Sequence, residues 1–151
     1  MRRLFIFMVA VAVVLAGCSS GDSSSTPDTG LPPDVDRCEE LDPLVLDFLR
    51  SGLVVDDALL PWGYSVKSTD YVDVWIVTAG VESGGELDYG TWAIRAGTWP
   101  TDYVGAVTVD EIAAEITDFG ADSDIIVTDA TNGVYSAVAC AIARLGAEGS
   151  G

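Results

Sequence analysis

The sequence predicts an α+β domain: a small, mainly antiparallel β-sheet packed against about three α-helices and stapled by one disulfide. Three observations lead there. Two runs rich in β-branched and aromatic residues, 71–79 and 89–96, flank the turn signal Ser83-Gly84-Gly85-Glu86, the pattern of an antiparallel hairpin. Three further segments, 42–51, 108–120 and 131–145, repeat apolar residues at helical spacing. Finally, Cys38 and Cys140 stand near the two ends of the folded region.

Each element has its own justification. Asp42-Pro43 reads as a helix N-cap followed by proline at the first helical position, and Gly52 follows the last turn. Between them Leu44, Val45, Phe48 and Leu49 recur at helical spacing. Residues 53–63 are ambiguous, because Asp56 to Leu60 can form one helical turn before Pro61 stops it. In the hairpin, Val72, Val74 and Ile76 share one face of the first strand, and Trp92 and Ile94 share one face of the second. Gly97-Thr98-Trp99-Pro100 then breaks the pattern.

Thr108-Val109-Asp110-Glu111 matches a capping box, which places the second helix at 108–120 with Val109, Ile112, Ala113 and Ile116 on its apolar stripe and Gly120 at its end. A short strand is expected at 125–128. The last helix starts near Thr131 and turns Val134, Val138, Ala141, Ile142 and Leu145 inward, ending before Gly146. On that reading Cys140 falls off the stripe, beside Ala137 and Arg144. All helices are expected on one face of the sheet.

The first eighteen residues carry a different message. Arg2 and Arg3 precede an apolar run of 13 residues, Leu4 to Ala16. As a helix it is about 20 Å long, short of the roughly 30 Å of a bilayer core, but suited to the apolar stretch of a secretory signal. Its end, Leu15-Ala16-Gly17-Cys18, resembles the lipobox of bacterial lipoproteins. That resemblance covers residues 1–18 alone. It implies that Cys18 receives a diacylglyceryl group, that the signal 1–17 is cut just before it, and that the mature chain is held at the extracytoplasmic face of the cell membrane by its lipid. Two acyl chains anchor stably where one binds only marginally.

Four regions follow: the signal 1–17, a tether 18–36, one domain 37–146 and a short flexible tail 147–151. Residues 19–36, SSGDSSSTPDTGLPPDVD, have a linker composition, and as a coil they span about 23 Å. Loss of Arg2 and Arg3 with the signal leaves five basic residues (Arg37, Arg50, Lys67, Arg95 and Arg144) against 24 acidic ones, a formal charge of −19. Such a surface repels nucleic acid and anionic lipid headgroups alike, so the domain is expected to stand off the membrane. With Cys18 lipidated, Cys38 and Cys140 remain in a compartment where disulfides persist, and they are expected to pair.

Catalytic signals are sparse. The chain has no histidine, which removes the commonest general base and metal ligand. It has no G-x-S-x-G, no phosphate-binding G-x-x-x-x-G-K-[ST] and no H-E-x-x-H. Lys67, the single lysine, lies between Ser65 and Ser68, but a serine/lysine dyad needs a buried amine. Asp118, Asp122, Asp124 and Asp129 crowd one region without the spacing of an EF-hand loop. No cofactor and no metal site is assigned. The aromatics Trp62, Tyr64, Trp99 and Tyr103 fall in predicted loops, where rings can anchor a partner or a sugar, while Trp75 and Trp92 are expected in the core. The expected function is a non-enzymatic binding or interaction module at the cell envelope, with an envelope protein as partner. A small-ligand or glycan-binding lipoprotein is the second reading, and an envelope hydrolase the third.

Overall fold

A computed structural model describes residues 35–120, 126–128 and 131–148. Cys18, the signal, the tether as far as residue 34, Ile125, the aspartates 122, 124 and 129 and the residues 149–151 lie outside the described residues. After a 3-10 turn at Val35–Arg37, the chain forms β1 (Glu39–Glu40), α1 (Pro43–Ser51), β2 (Gly63–Lys67), β3 (Val74–Ser83), β4 (Glu86–Thr98), β5 (Asp102–Thr108), α2 (Glu111–Ile116) and α3 (Val134–Glu148). The five strands make one antiparallel sheet in sequence order. The α+β class and the Cys38–Cys140 disulfide are as expected.

The helices, however, cover both faces of the sheet. The alternation of side chains along β3 explains this, since almost every position of Val74–Val81 is apolar. Val77, Ala79 and Val81 point to the side of α1 and α2, with Trp92 and Ile94 of β4 beside them. Val74 and Ile76 point the other way, with Val66 and Ala93, toward Val134, Ala137 and Cys140 of α3. A strand apolar on both sides needs a layer on each. A one-sided reading of the hairpin misses that.

The β3–β4 turn is Gly84-Gly85, with φ of 61° and 84°. Both central residues of a type I′ turn need positive φ, and its twist matches that of the flanking strands. The hairpin is longer than 71–79 and 89–96 suggest. Val72 is 89% exposed, in the turn before β3, while β3 runs on through Glu82 and Ser83. After the break at Trp99-Pro100, whose peptide bond is cis, the chain returns as β5, an unforeseen strand. Its pattern is half-polar, and a bulge at Ala96 shifts the register of β4 against it.

α1 is as read: the Asp42 carboxylate accepts from the Leu44 N–H at 2.8 Å, Pro43 opens the helix, and Val45 and Leu49 are fully buried. Residues 53–62 form no helical turn. They run as an irregular strap from α1 to β2, and the Arg50 guanidinium holds the Leu60 carbonyl at 2.7 Å.

α2 is shorter than its capping box implies. Its N-cap is Asp110, which accepts from the Ala113 N–H at 2.8 Å, because Thr108 is still paired with Trp92 in the sheet. It ends at Ile116, with Thr117 as its C-cap, three residues before Gly120. There the Thr117 hydroxyl donates to the Ala113 carbonyl and accepts from the Trp92 indole N–H at 3.1 Å. Residues 126–128 are irregular, without the expected strand.

α3 begins at Val134 and extends through Glu148. Gly133, at φ 101°, precedes it so closely against Ile76 that a Cβ would lie 3.2 Å from that side chain. The helix buries Val134, Ala137, Cys140 and Ala141, whereas Ile142 is 56% exposed. Cys140 is therefore on the inward stripe, contrary to the periodicity reading. Its partner Cys38 lies just ahead of β1, half-buried against the same cluster, so the bridge joins the start of the sheet to the buried face of α3. Arg37 adds to this junction, donating to Asn132 Oδ1 at 3.1 Å and to the Lys67 carbonyl at 2.6 Å.

Candidate functional site

The four aromatics expected as candidate partner-binding residues, Trp62, Tyr64, Trp99 and Tyr103, lie on opposite faces of the sheet. Tyr64 packs with the α3 layer, and Trp62 lies beside it, ring centroids 6.1 Å apart, against the backbone of Gly80. The indole Nε1 of Trp62 is buried with no hydrogen-bond acceptor among the described residues. Trp99 and Tyr103 pack on the α1 side instead, within a run of touching rings. Trp75 stacks on Trp99 at 4.8 Å, Trp99 meets Tyr103 edge-on at 6.4 Å, and Tyr103 stacks on Phe48 at 4.5 Å, with Phe48 on Phe119 at 5.1 Å. Each of these rings is half-buried, and together they cover the edge of the core on the α1 side.

Tyr103 donates to the Pro100 carbonyl, and burial together with Asp42 raises its pKa. The Lys67 ammonium sits over the Trp75 ring, 5.1 Å from its centre, on an exposed side chain. Ser68 is buried, with its hydroxyl accepting from the Asp70 N–H. This places Lys67 in a cation–π contact at the sheet surface. Asp118, at the end of the α2 region, donates its N–H to the Gly52 carbonyl and is exposed, and no group of three or more potential metal ligands occurs among the described residues.

A concave site occurs elsewhere, where the tip of the β3–β4 hairpin projects past α2. It is an open groove of about 690 Å³. Val81 and Ile116 form its floor and Val55 and Ile112 its sides, all apolar. The exposed carboxylates of Glu86, Asp88 and Glu115 stand around it.

Each wall has a separate cause. The hairpin wall exists because the Gly84-Gly85 turn lets β3 and β4 pair as far as Ser83 and Glu86. The helical wall is α2, held on β4 by the Trp92–Thr117 hydrogen bond. The third wall is the strap after α1, fixed at both ends. Leu53 bridges Thr117, with the Val54 N–H donating to the Ile116 carbonyl at 2.9 Å, and Leu59 bridges Glu82 through two bonds of 2.9 Å. Asp57 accepts from the Gly84 N–H at 3.3 Å, tying the strap to the turn.

Carboxylates gather around the site. Asp110, which caps α2, has its pKa raised chiefly by burial and also by Asp88, while hydrogen bonds from Ala113 and Thr91 pull the other way. Tyr89 is raised by burial, then by Asp110 and Asp88. Among the described residues, none that lines the groove is basic. Arg50 is paired with Asp47 at 2.8 Å, Arg95 with Asp73 at 3.2 Å and Arg144 with Glu148 at 3.1 Å, while Arg37 and Lys67 are engaged near α3 and Trp75.

The sequence did carry parts of this site: the Gly-Gly turn, and Ile112 and Ile116 on one stripe of α2. What it lacked was the strap, whose pairing with Thr117 and Glu82 is long-range and follows no local period. No protein-family model, no curated protein and no solved structure matches the chain. No helix among the described residues is long and apolar enough to cross a membrane.

Proposed function

We propose that this chain is a lipid-anchored bacterial envelope protein whose domain serves as a non-enzymatic interaction module. The observation that carries this reading is the groove at the hairpin tip. It is apolar at the bottom, acidic at the rim and open to solvent, which suits a segment of a partner better than an enclosed small molecule. Its position supports the same reading. Residue 39, where the chain enters the sheet from the tether side, is level with Val77 through Ser65. The hairpin tip at Ser83 lies six residues farther along β3, about 20 Å at the rise of a strand. The chain thus enters the sheet away from the hairpin tip that walls the groove.

The lipid itself is supported by the Leu15-Ala16-Gly17-Cys18 sequence behind a basic and apolar leader. Chemical crosslinking in intact cells tests the whole proposal, comparing the native chain with a Cys18→Ala form. One dominant protein crosslinked only to the anchored form is the expected result. No crosslinked partner in either form would overturn it and redirect attention to small ligands.

A further inference from the structure

The groove also says what kind of partner segment it fits, a step that rests on the interaction-module reading. We propose that it receives an extended cationic peptide segment of a partner protein, one aliphatic side chain seated on Val81 and Ile116 and lysine or arginine heads at Glu86, Asp88 and Glu115. Two properties of the site lead to this occupant. The apolar floor offers burial to an aliphatic group, which a free polyamine or metal ion does not use. The rim carboxylates are exposed, and none of the chain's own described cations lies among the groove-lining residues, so they are open to cationic groups of a partner.

The strap adds preorganisation. With both of its ends bridged and Asp57 fixed to the turn, the groove does not have to be assembled when the peptide arrives. A second copy of this chain is a poor occupant, since it brings five basic residues against 24 acidic ones once residues 1–17 are removed.

The test uses the full chain, purified in non-ionic detergent, and a fluorescent synthetic peptide of alternating lysine and leucine. Two charge-reversed forms with equal net charge are compared: Glu86→Lys with Glu115→Lys in the groove, and Glu39→Lys with Glu40→Lys on β1. Thermal melts establish that both are folded. The groove pair should weaken binding by about tenfold or more, because like charges then face each other at the rim, and the β1 pair should change it little. A peptide with serine in place of leucine should bind the native chain much more weakly. Equal weakening by the two pairs, or equal binding of the serine peptide, would reduce the effect to diffuse charge and overturn the groove assignment. Concentration-dependent dimers that the groove pair abolishes would also overturn it, in favour of a second copy.

The same groove pair in cells separates this inference from the reading beneath it. A crosslinked partner that persists in the groove variant removes the groove but keeps the interaction module. Peptide binding in the tube with no anchor-dependent partner in cells removes the module and keeps the groove.

Discussion

Asp110 does two jobs that pull against each other. As the N-cap of α2 it supplies an acceptor for the Ala113 N–H, an interaction typically worth about 1 kcal/mol. As a half-buried carboxyl near Asp88 it is costly to ionise, and its pKa is raised from the usual 3.8. A raised carboxyl pKa means that the folded chain holds its proton more tightly than the unfolded chain does. The resulting stabilisation is complete below about 3.8 and fades as pH climbs through the raised value. Asn keeps the capping oxygen and removes the charge. Asp110→Asn should therefore match or exceed the native melting temperature at neutral pH, and melt with less dependence on pH in the range just above 4. Asp110→Ala loses the cap as well and should cost about 1 kcal/mol relative to Asn. Thermal melts of the three forms across that range check both statements. A steep loss of stability in Asp110→Asn at neutral pH would show that the carboxylate charge itself holds α2 in place.

At the level of elements, two stabilising devices have consequences that can be measured. Cys38 and Cys140 are 102 residues apart, and closing a loop of that length stabilises the fold by up to about 4.7 kcal/mol through the unfolded chain. Replacing both by alanine leaves α3 apolar where Cys140 is buried, so the loss should reflect mainly the missing bridge. A fall in melting temperature of about 10 °C or more is expected. Thiol labelling of the oxidised native domain should stay low until it is reduced and unfolded, and ready labelling of Cys140 would refute the staple. The second device is the turn at Gly84-Gly85. Valine at Gly85 must adopt a φ near 84°, so Gly85→Val should cost more than 1 kcal/mol and loosen the hairpin tip that walls the groove. How far the sequence revealed these elements depends on how local their causes are. α1 could be read because cap, proline, stripe and glycine all lie within eleven residues. The disulfide was legible from cysteine count and compartment alone, although the stripe that carries Cys140 was not. Of the stripe read from the sequence, Val134 and Ala141 are buried and Val138 packs half-buried beside them, whereas Ile142 is exposed and Ala137 and Cys140 take inward positions. β5 was missed because an edge strand needs only half of its positions apolar, and Val104 is exposed. The groove was the least legible feature, since its third wall exists only through pairings between segments 23 and 64 residues apart in sequence, Leu59 with Glu82 and Leu53 with Thr117.

For the whole molecule, charge and anchorage act in opposite directions. A domain of formal charge −19 beyond residue 17 is repelled by an anionic bilayer, and no basic helix face exists among the described residues to hold it down. On the proposed reading, retention at a membrane comes from the lipid expected on Cys18. The two contributions separate by their response to salt. Electrostatic attraction to headgroups weakens as ionic strength rises, whereas burial of acyl chains does not. The native chain should therefore partition into the detergent phase at low and high salt alike, and Cys18→Ala should move it to the aqueous phase under both conditions. Partitioning of the native chain that is unchanged by Cys18→Ala would remove the lipid from the account. Release of the native chain by salt alone would assign its retention to a charged partner at the surface instead.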